Sequence, residues 1–368
     1  MLMNRIMNLR IKKTNIYVYF FIILITIYYS IQNTALYFFD AKLLLYFSLI
    51  LTGICIAFKP LKLGMPFMYI TIVIIFGIST WINSGSYLIV IAVVIFTCKE
   101  INKENLLMII FGVKILILLL GIVTRVYGSN NSTSLFVGIL MLTYMVFNRQ
   151  YINNIKLYIL FILDIALYII TNCGSGLICI TTSILLLWGI RFKFMKRFLI
   201  SKIIEWIYPV MFFVTYITAL SKNTNKIPFI GDFIGYNINQ FFISIIDIVD
   251  KITSYRISLN EVTYHMFRIS WWGSDIDKSI IKYGYYYLDS GYFSLLYDSG
   301  ILITIIFMIM SIMMMKFFIK NENYSCIIAA IAIALWAFNE PILLSINMNF
   351  MIFYWGNIFL KSSRKNNV

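Results

Sequence analysis

Charge is scarce in this sequence. Only 12% of its residues are Asp, Glu, Lys or Arg, about half the share in an average soluble domain. Apolar residues reach 61%. A soluble fold has too little interior to hide that much apolar surface, so lipid must act as solvent for much of the chain. Histidine is nearly absent, His265 being the single one, which excludes a zinc centre built on several imidazoles. The five cysteines (Cys55, Cys98, Cys173, Cys179 and Cys326) contain no CxxC pair. They read as small buried hydrophobes, with no structural disulfide and no cysteine-held metal.

Acidic residues are in the minority, 15 against 30 Lys and Arg, for a net charge of +15. In a soluble protein that excess would suggest nucleic acid. Here nearly all the basic residues sit in short gaps between apolar runs, the pattern that reports membrane topology and calls for no nucleic-acid partner. The basic start, Met1 to Lys13, leads into an apolar stretch without a small-x-small cleavage site, so it reads as an uncleaved first span.

About 20 apolar residues cross a bilayer, and shorter runs can be rescued by their flanks. Twelve runs qualify, at 16–33, 43–58, 66–82, 86–99, 106–123, 133–148, 156–171, 175–190, 204–220, 292–315, 324–339 and 342–360. The third and fourth are divided by the turn signal Asn83-Ser84-Gly85-Ser86. With the N-terminus inside, 20 Lys and Arg fall on the cytoplasmic side, while the short outer loops carry only Lys42 and Arg125. Merging spans three and four would destroy this asymmetry. The expected fold is therefore an all-α integral membrane protein with about twelve transmembrane helices and both termini cytoplasmic. Nine helices fill 1–220, one long outer loop covers 221–291, and 292–368 holds the last three helices and a basic tail.

The outer loop breaks the rhythm. Its seven basic and seven acidic residues balance, and long loops cross membranes largely regardless of charge. Trp, Tyr, Phe and Ile run through it, which argues against disorder. From Phe233 to Ile252 apolar residues recur every three to four positions (Ile234, Ile238, Phe241, Ile245, Val249, Ile252). That spacing predicts an amphipathic helix on the outer leaflet or over the bundle.

The loop also concentrates reactive side chains. Arg256-Ile-Ser-Leu-Asn260, Arg268, Trp271-Trp272-Gly273 and Tyr283 to Leu296 follow one another, leading to Gly300. Arginine forks suit phosphate oxygens. Aromatic faces suit sugar rings, and a carboxylate can take a proton from a sugar hydroxyl. Asp275-Ile-Asp277 matches a short metal-holding pattern of soluble glycosyltransferases, but three residues coincide easily and no metal site is expected from them. Lys114 and Asp164 fall near the middle of their spans, where charge is costly, and a pair between them would fit. Asp298 and Glu340 lie near span ends and border the expected site; Gly176, Gly189 and Gly300 are expected to serve packing or turns.

The order RISLN, then WWG, then YLDSGYFSLLYDSG running into an apolar span resembles the long outer loop of Wzy-type polymerases, which build O-antigen, capsular and exopolysaccharide chains. Arg256, Gly273, Asp289, Tyr292, Leu295 and Gly300 fall in matching places. Two further segments, Arg125-Val-Tyr-Gly128-Ser-Asn-Asn131 and Thr171-Asn-Cys-Gly-Ser-Gly-Leu177, resemble other elements of that family. Gly174 stands where an arginine is common, Ser290-Gly291 replaces an Asn-Ser, and a His-Pro-Asn form near the first arginine is absent.

The resemblance implies glycosyl transfer between lipid-linked repeat units at the outer face of a bacterial cytoplasmic membrane. The growing chain leaves its undecaprenyl pyrophosphate and joins the end sugar of an incoming unit. It implies that Arg256, Arg268 and Arg125 hold pyrophosphate, with Tyr292, Tyr287 and Trp272 against the glycan. Asp289 and Glu261 are then the candidate bases, with His265 behind them. No cofactor and no metal are implied. The implied partners are the lipid-linked oligosaccharide, the bilayer, and a chain-length regulator and flippase of the same pathway. An O-antigen-ligase-like transferase shares the architecture and the arginines. A flippase would spread polar residues along several spans, whereas this chain gathers them in one loop.

Overall fold

The computed structural model describes residues 16–32, 47, 67–83, 87–98, 101–124, 130–148, 153–228, 236–253, 255–274 and 288–360. Every regular element among them is helical. In chain order these are α1 (Ile16–Gln32), α2 (Phe67–Asn83), α3 (Tyr87–Thr97), α4 (Lys103–Thr124), α5 (Asn130–Phe147), α6 (Asn154–Thr171) and α7 (Gly174–Gly189). The short α8 (Lys193–Leu199) and a 3₁₀ turn (Lys202–Trp206) precede α9 (Ile207–Thr224). Then come α10 (Tyr236–Ile252), α11 (Arg256–Met266), α12 (Gly291–Tyr297), α13 (Ile301–Lys320), α14 (Tyr324–Trp336) and α15 (Ile352–Leu360).

Four helical stretches are long and apolar enough to cross a membrane: Lys103–Gly121, Asn154–Thr171, Lys202–Lys222 and Ile301–Lys320. Six shorter apolar helices accompany them. Several of them expose large apolar side chains. On α6, Asn153 caps the first turn and Asn172 ends the helix in the left-handed conformation. Along it Ile159, Ile162, Leu163, Ile169 and Ile170 all face outward, the last at 75% exposure. In water such a face would be a severe liability, and in lipid it is at home. Inside, one continuous core joins α1 to α7, α9 and α12 to α15. Trp336 is fully buried there, against Gly138 of α5 and Gly176 of α7, neither of which leaves room for a larger side chain.

The expected runs at 66–82 and 86–99 form two separate helices, α2 and α3. The run at 43–58 lies outside the described residues, apart from Phe47. Two runs expected as single helices are interrupted. Within 292–315, α12 stops at Tyr297 and α13 begins at Ile301. Within 342–360, only Ile352–Leu360 is helical. The stretch from Ala337 to Met351 is a largely buried chain of turns, and Pro341 bars any continuation of α14. Buried backbone outside a helix needs other partners for its polar groups. Asn349 does part of this, its Nδ2 donating to the Leu343 carbonyl at 2.7 Å.

The pair expected between Lys114 and Asp164 is not formed. Fully buried Lys114 donates to the Asn347 carbonyl in the interrupted stretch, with its ammonium 5.6 Å from the centre of the Phe136 ring. Asp164 accepts instead from Thr181 Oγ1 at 2.8 Å. The two helices turn these residues toward different neighbours. Of the cysteines, Cys98, Cys173, Cys179 and Cys326 are buried, unbridged thiols, and Cys55 lies outside the described residues.

The amphipathic helix forms as α10. Its apolar positions Ile238, Phe241, Ile245 and Ile252 are exposed, while Asn239 and Asp250 on the opposite side are buried against the rest of the protein. The exposed apolar face fits a bilayer surface, with the polar face holding the helix to the bundle.

Candidate active site

The chain places Arg256 by a reversal between two helices. Tyr255 takes a left-handed conformation, φ 63°, which turns α10 into α11. Asp250, in the last turn of α10, reaches across this reversal. Its Oδ1 accepts the backbone N–H groups of Ile257 at 2.9 Å and Ser258 at 3.1 Å, and Ser258 Oγ bonds its other oxygen. These are the unpaired amides of a helix start, so a buried carboxylate replaces the ordinary cap. Lys222 of α9 lies 3.4 Å from the same carboxylate and also pairs with Asp247. Arg256, the first residue of α11, is thereby fixed.

Two carboxylates converge on its guanidinium. Asp289 Oδ2 lies 2.6 Å from one terminal nitrogen, and Glu340 Oε1 lies 3.7 Å from the other. The first nitrogen also donates to the Asn339 carbonyl at 3.3 Å. Asp289 precedes α12 and Glu340 follows α14, and a close backbone approach brings them together. The Gly291 N–H donates to Ala337 O at 2.8 Å. A Cβ on Gly291 would stand 2.8 Å from Glu340 O.

Arg256 and Glu340 line a cleft whose other walls are the α6–α7 turn, Asn172 to Ser175, the end of α10, and Asn339. Gly174 and Ser175 begin α7, and Cys173 before them supplies no side-chain cap. The cleft thus meets a guanidinium and the positive end of a helix together, two features that attract an anion. It also holds a carboxylate that can accept a proton.

The structure places the sequence-derived candidates unevenly. Arg256 and Asp289 come together, and the Thr171–Leu177 turn joins Arg256 in the cleft. Glu261, His265 and Arg268 are not among the residues lining it; His265 and Arg268 are exposed. Tyr292 is fully buried and donates its hydroxyl to Ala334 O at 2.9 Å, a packing position with no face left for a sugar. Trp272 is half-buried, and its carbonyl accepts from Ser79 Oγ at 3.0 Å. Arg125, Tyr287, Asp275 and Asp277 lie outside the described residues. Sequence reading missed Asp250 as the anchor, because its capping contact crosses a chain reversal, and missed the Asn339 carbonyl, which leaves no sequence signal.

No family model, curated protein or solved structure matches the chain.

Burial pushes the Glu340 carboxyl up to about 7; Arg256 pulls against this shift and Asp289 adds to it. Burial also raises Asp289 above its ordinary value, against the pull of Arg256. A carboxyl raised in the folded protein keeps its proton at a pH where the unfolded chain has released it. Stability is therefore highest below the ordinary value, falls as pH rises, and levels off above about 7. The thermal unfolding midpoint of the detergent-solubilised protein should drop by several degrees between about pH 5 and about pH 8. Glu340→Gln should flatten most of that drop. An equal slope in the variant would place the titration elsewhere.

Proposed function

We propose that this protein is a multi-pass membrane glycosyltransferase of the Wzy type, polymerising undecaprenyl-pyrophosphate-linked repeat units on the outer face of the bacterial cytoplasmic membrane. The observation that carries this reading is the cleft in which Arg256, the start of α7 and Glu340 meet, with Asp289 paired to the same guanidinium. A departing pyrophosphate gains charge in the transition state, and fixed donors stabilise that charge more than they stabilise the ground state. Asp289 or Glu340, once released from the guanidinium by the incoming anion, is placed to take the proton of an acceptor hydroxyl. The twelve-span topology with both termini cytoplasmic belongs to this proposal. It puts the α6–α7 turn, Arg256, Asp289 and Glu340 on the outer side together, and the exposed apolar face of α10 on the outer leaflet.

A second reading, a flippase for the same lipid-linked units, has one observation in its favour. Lys114 is buried opposite the interrupted stretch around Asn347. Discontinuous helices with a charge at mid-membrane are frequent in carriers.

Deleting the gene in its source bacterium and running the surface glycan on a gel separates the two. The polymerase reading expects single repeat units where long chains stood, with the ladder restored by wild type from a plasmid. Loss of all surface glycan, with lipid-linked units accumulating inside, would replace it by the flippase. An unchanged ladder would sink both.

A further inference from the structure

The elbow between α7 and α9, residues 190–206, carries five basic residues (Arg191, Lys193, Lys196, Arg197 and Lys202) and one acid, Glu205. All five basic residues are exposed. Glu205 lies 3.7 Å from Lys316 of α13, and none of the five forms an ion pair among the described residues. Large apolar side chains are interleaved with them. Phe192, Phe194, Phe198, Ile203 and Trp206 are exposed as well, Phe194 at 77% and Ile203 at 73%. The elbow is nevertheless firmly held. Leu199 and Ile204 are buried in the main core. Met195 packs closely on the end of α7, where a Cβ on Gly189 would stand 3.1 Å from its Cγ. The Ile190 N–H donates to Leu186 O at 3.0 Å and the Phe192 N–H to Gly189 O at 2.9 Å, which fixes the turn. Charge and rings are thus presented outward from a rigid base.

The surroundings say what such a surface meets. α7 exposes Ile178, Leu185 and Trp188, and α9 exposes Val210, Phe213 and Val214. The same apolar surface therefore continues from the elbow along both helices, and the elbow is where it meets charge. At a bilayer that is the headgroup level. Rings lie in the boundary region there, while Lys and Arg extend apolar stems and hold their charges among the headgroups. A cluster of four to eight basic residues beside an apolar helix complements acidic lipid. A soluble acidic protein would match the charge, but it would leave the adjoining apolar faces of α7 and α9 without a partner.

We propose that the α7–α9 elbow is a docking site for anionic phospholipid, with Lys193, Lys196 and Arg197 meeting the headgroup phosphates and Phe194, Phe198 and Trp206 seated beside the upper acyl chains. The topology proposed above turns this elbow to the cytoplasmic leaflet, the acidic one. Lipid docking does not depend on glycosyl transfer, so either can fail without the other. The full chain in mild detergent would be titrated with phosphatidylglycerol and with phosphatidylcholine of the same acyl chains, and bound lipid counted by native mass spectrometry. Phosphatidylglycerol should bind about ten-fold more tightly, the worth of one charge-assisted contact. Lys193→Gln, Lys196→Gln and Arg197→Gln together should bring that preference close to one. Lys251→Gln, an exposed change on α10, should leave it intact. Equal affinity for the two lipids in the wild type would overturn the proposal and leave the patch to an acidic protein. A preference kept in the triple variant, or lost in Lys251→Gln, would move the lipid elsewhere and overturn it too. So would displacement of phosphatidylglycerol by soluble glycerol phosphate at equal concentration, which would make the elbow a site for free anions. Trp206→Phe supplies the location should the triple variant accumulate poorly. Brominated phosphatidylglycerol should quench the Trp206 share of the fluorescence, the difference between wild type and Trp206→Phe, more than brominated phosphatidylcholine does. Equal quenching by the two would count against the elbow.

Discussion

Arg256→Lys is expected, on the polymerase reading, to cut polymer formation by on the order of 10²–10³-fold while the protein still folds and accumulates. Lysine keeps the positive charge, so Asp289 retains a cation and the local balance survives. What disappears is the planar fork. The guanidinium presents its two terminal nitrogens to two different carboxylates and a carbonyl, and a point-like ammonium cannot span the same geometry or chelate two phosphate oxygens. Arg256→Ala is the harsher change and the less informative one. It leaves Asp289 and Glu340, both partly buried, without their shared cation, and breaking one side of such a pair destabilises the fold as well as the chemistry. The measurement is glycan chain length on a gel, normalised to protein level by an epitope tag. Full-length polymer from Arg256→Lys at normal protein level would remove the arginine from the chemistry. Asp289→Asn separates the remaining possibilities: it frees the guanidinium for phosphate but deletes a base. Lower activity in that variant favours Asp289 as the proton acceptor, and undiminished activity hands the role to Glu340.

The membrane character was legible because apolar run length is a direct physical requirement of the bilayer. α1 at Ile16–Gln32, the α2–α3 division and the amphipathic α10 all follow from it or from helical spacing. Hydropathy reports where a segment sits and is silent on how its backbone is bonded. For that reason the stretch from Ala337 to Met351 reads as largely buried, which it is, and as mostly helical, which it is not. Pro341 and the asparagines Asn339, Asn347 and Asn349 were the available signal. The α12–α13 break was harder, since Asp298-Ser299-Gly300 is too short to interrupt an apolar average. Within the candidate site, Arg256 and Asp289 were legible as residue types concentrated in one segment. Their partner Glu340 was placed only at the border, because what joins them is the approach of Gly291 to the end of α14, a contact between segments far apart in sequence.

Gly300 carries the other large expected effect. Its φ of 90° and ψ of 171° fall in a region that only glycine occupies comfortably. A Cβ there would stand 2.3 Å from Gly273 N and 2.6 Å from both Trp271 O and Trp272 C, all backbone atoms that cannot swing aside. Gly273 has a φ of 89°, so two glycines let two chain segments cross. The crossing satisfies the helix ends around it. Ile301 N–H donates to Ser270 O at 3.0 Å and Leu302 N–H to Trp271 O at 3.3 Å, pairing the first amides of α13, while Ser274 N–H donates to Tyr297 O at 2.9 Å at the end of α12. Gly300→Ala therefore adds backbone strain of about 1–3 kcal/mol to an overpacking cost of similar size. It also prises the Trp271-Trp272-Gly273 segment from the break that carries Asp298. Gly112, in the middle of α4, is the control: a Cβ there meets nothing within 4 Å, and helix preference favours alanine by up to about 1 kcal/mol. Gly112→Ala should melt at or slightly above the wild-type temperature. Gly300→Ala should accumulate poorly, melt many degrees lower in detergent, and lose polymer beyond what its reduced level accounts for. If the two variants accumulate and melt alike, the crossing at Gly273 and Gly300 does not hold the Trp271–Gly273 segment to the bundle.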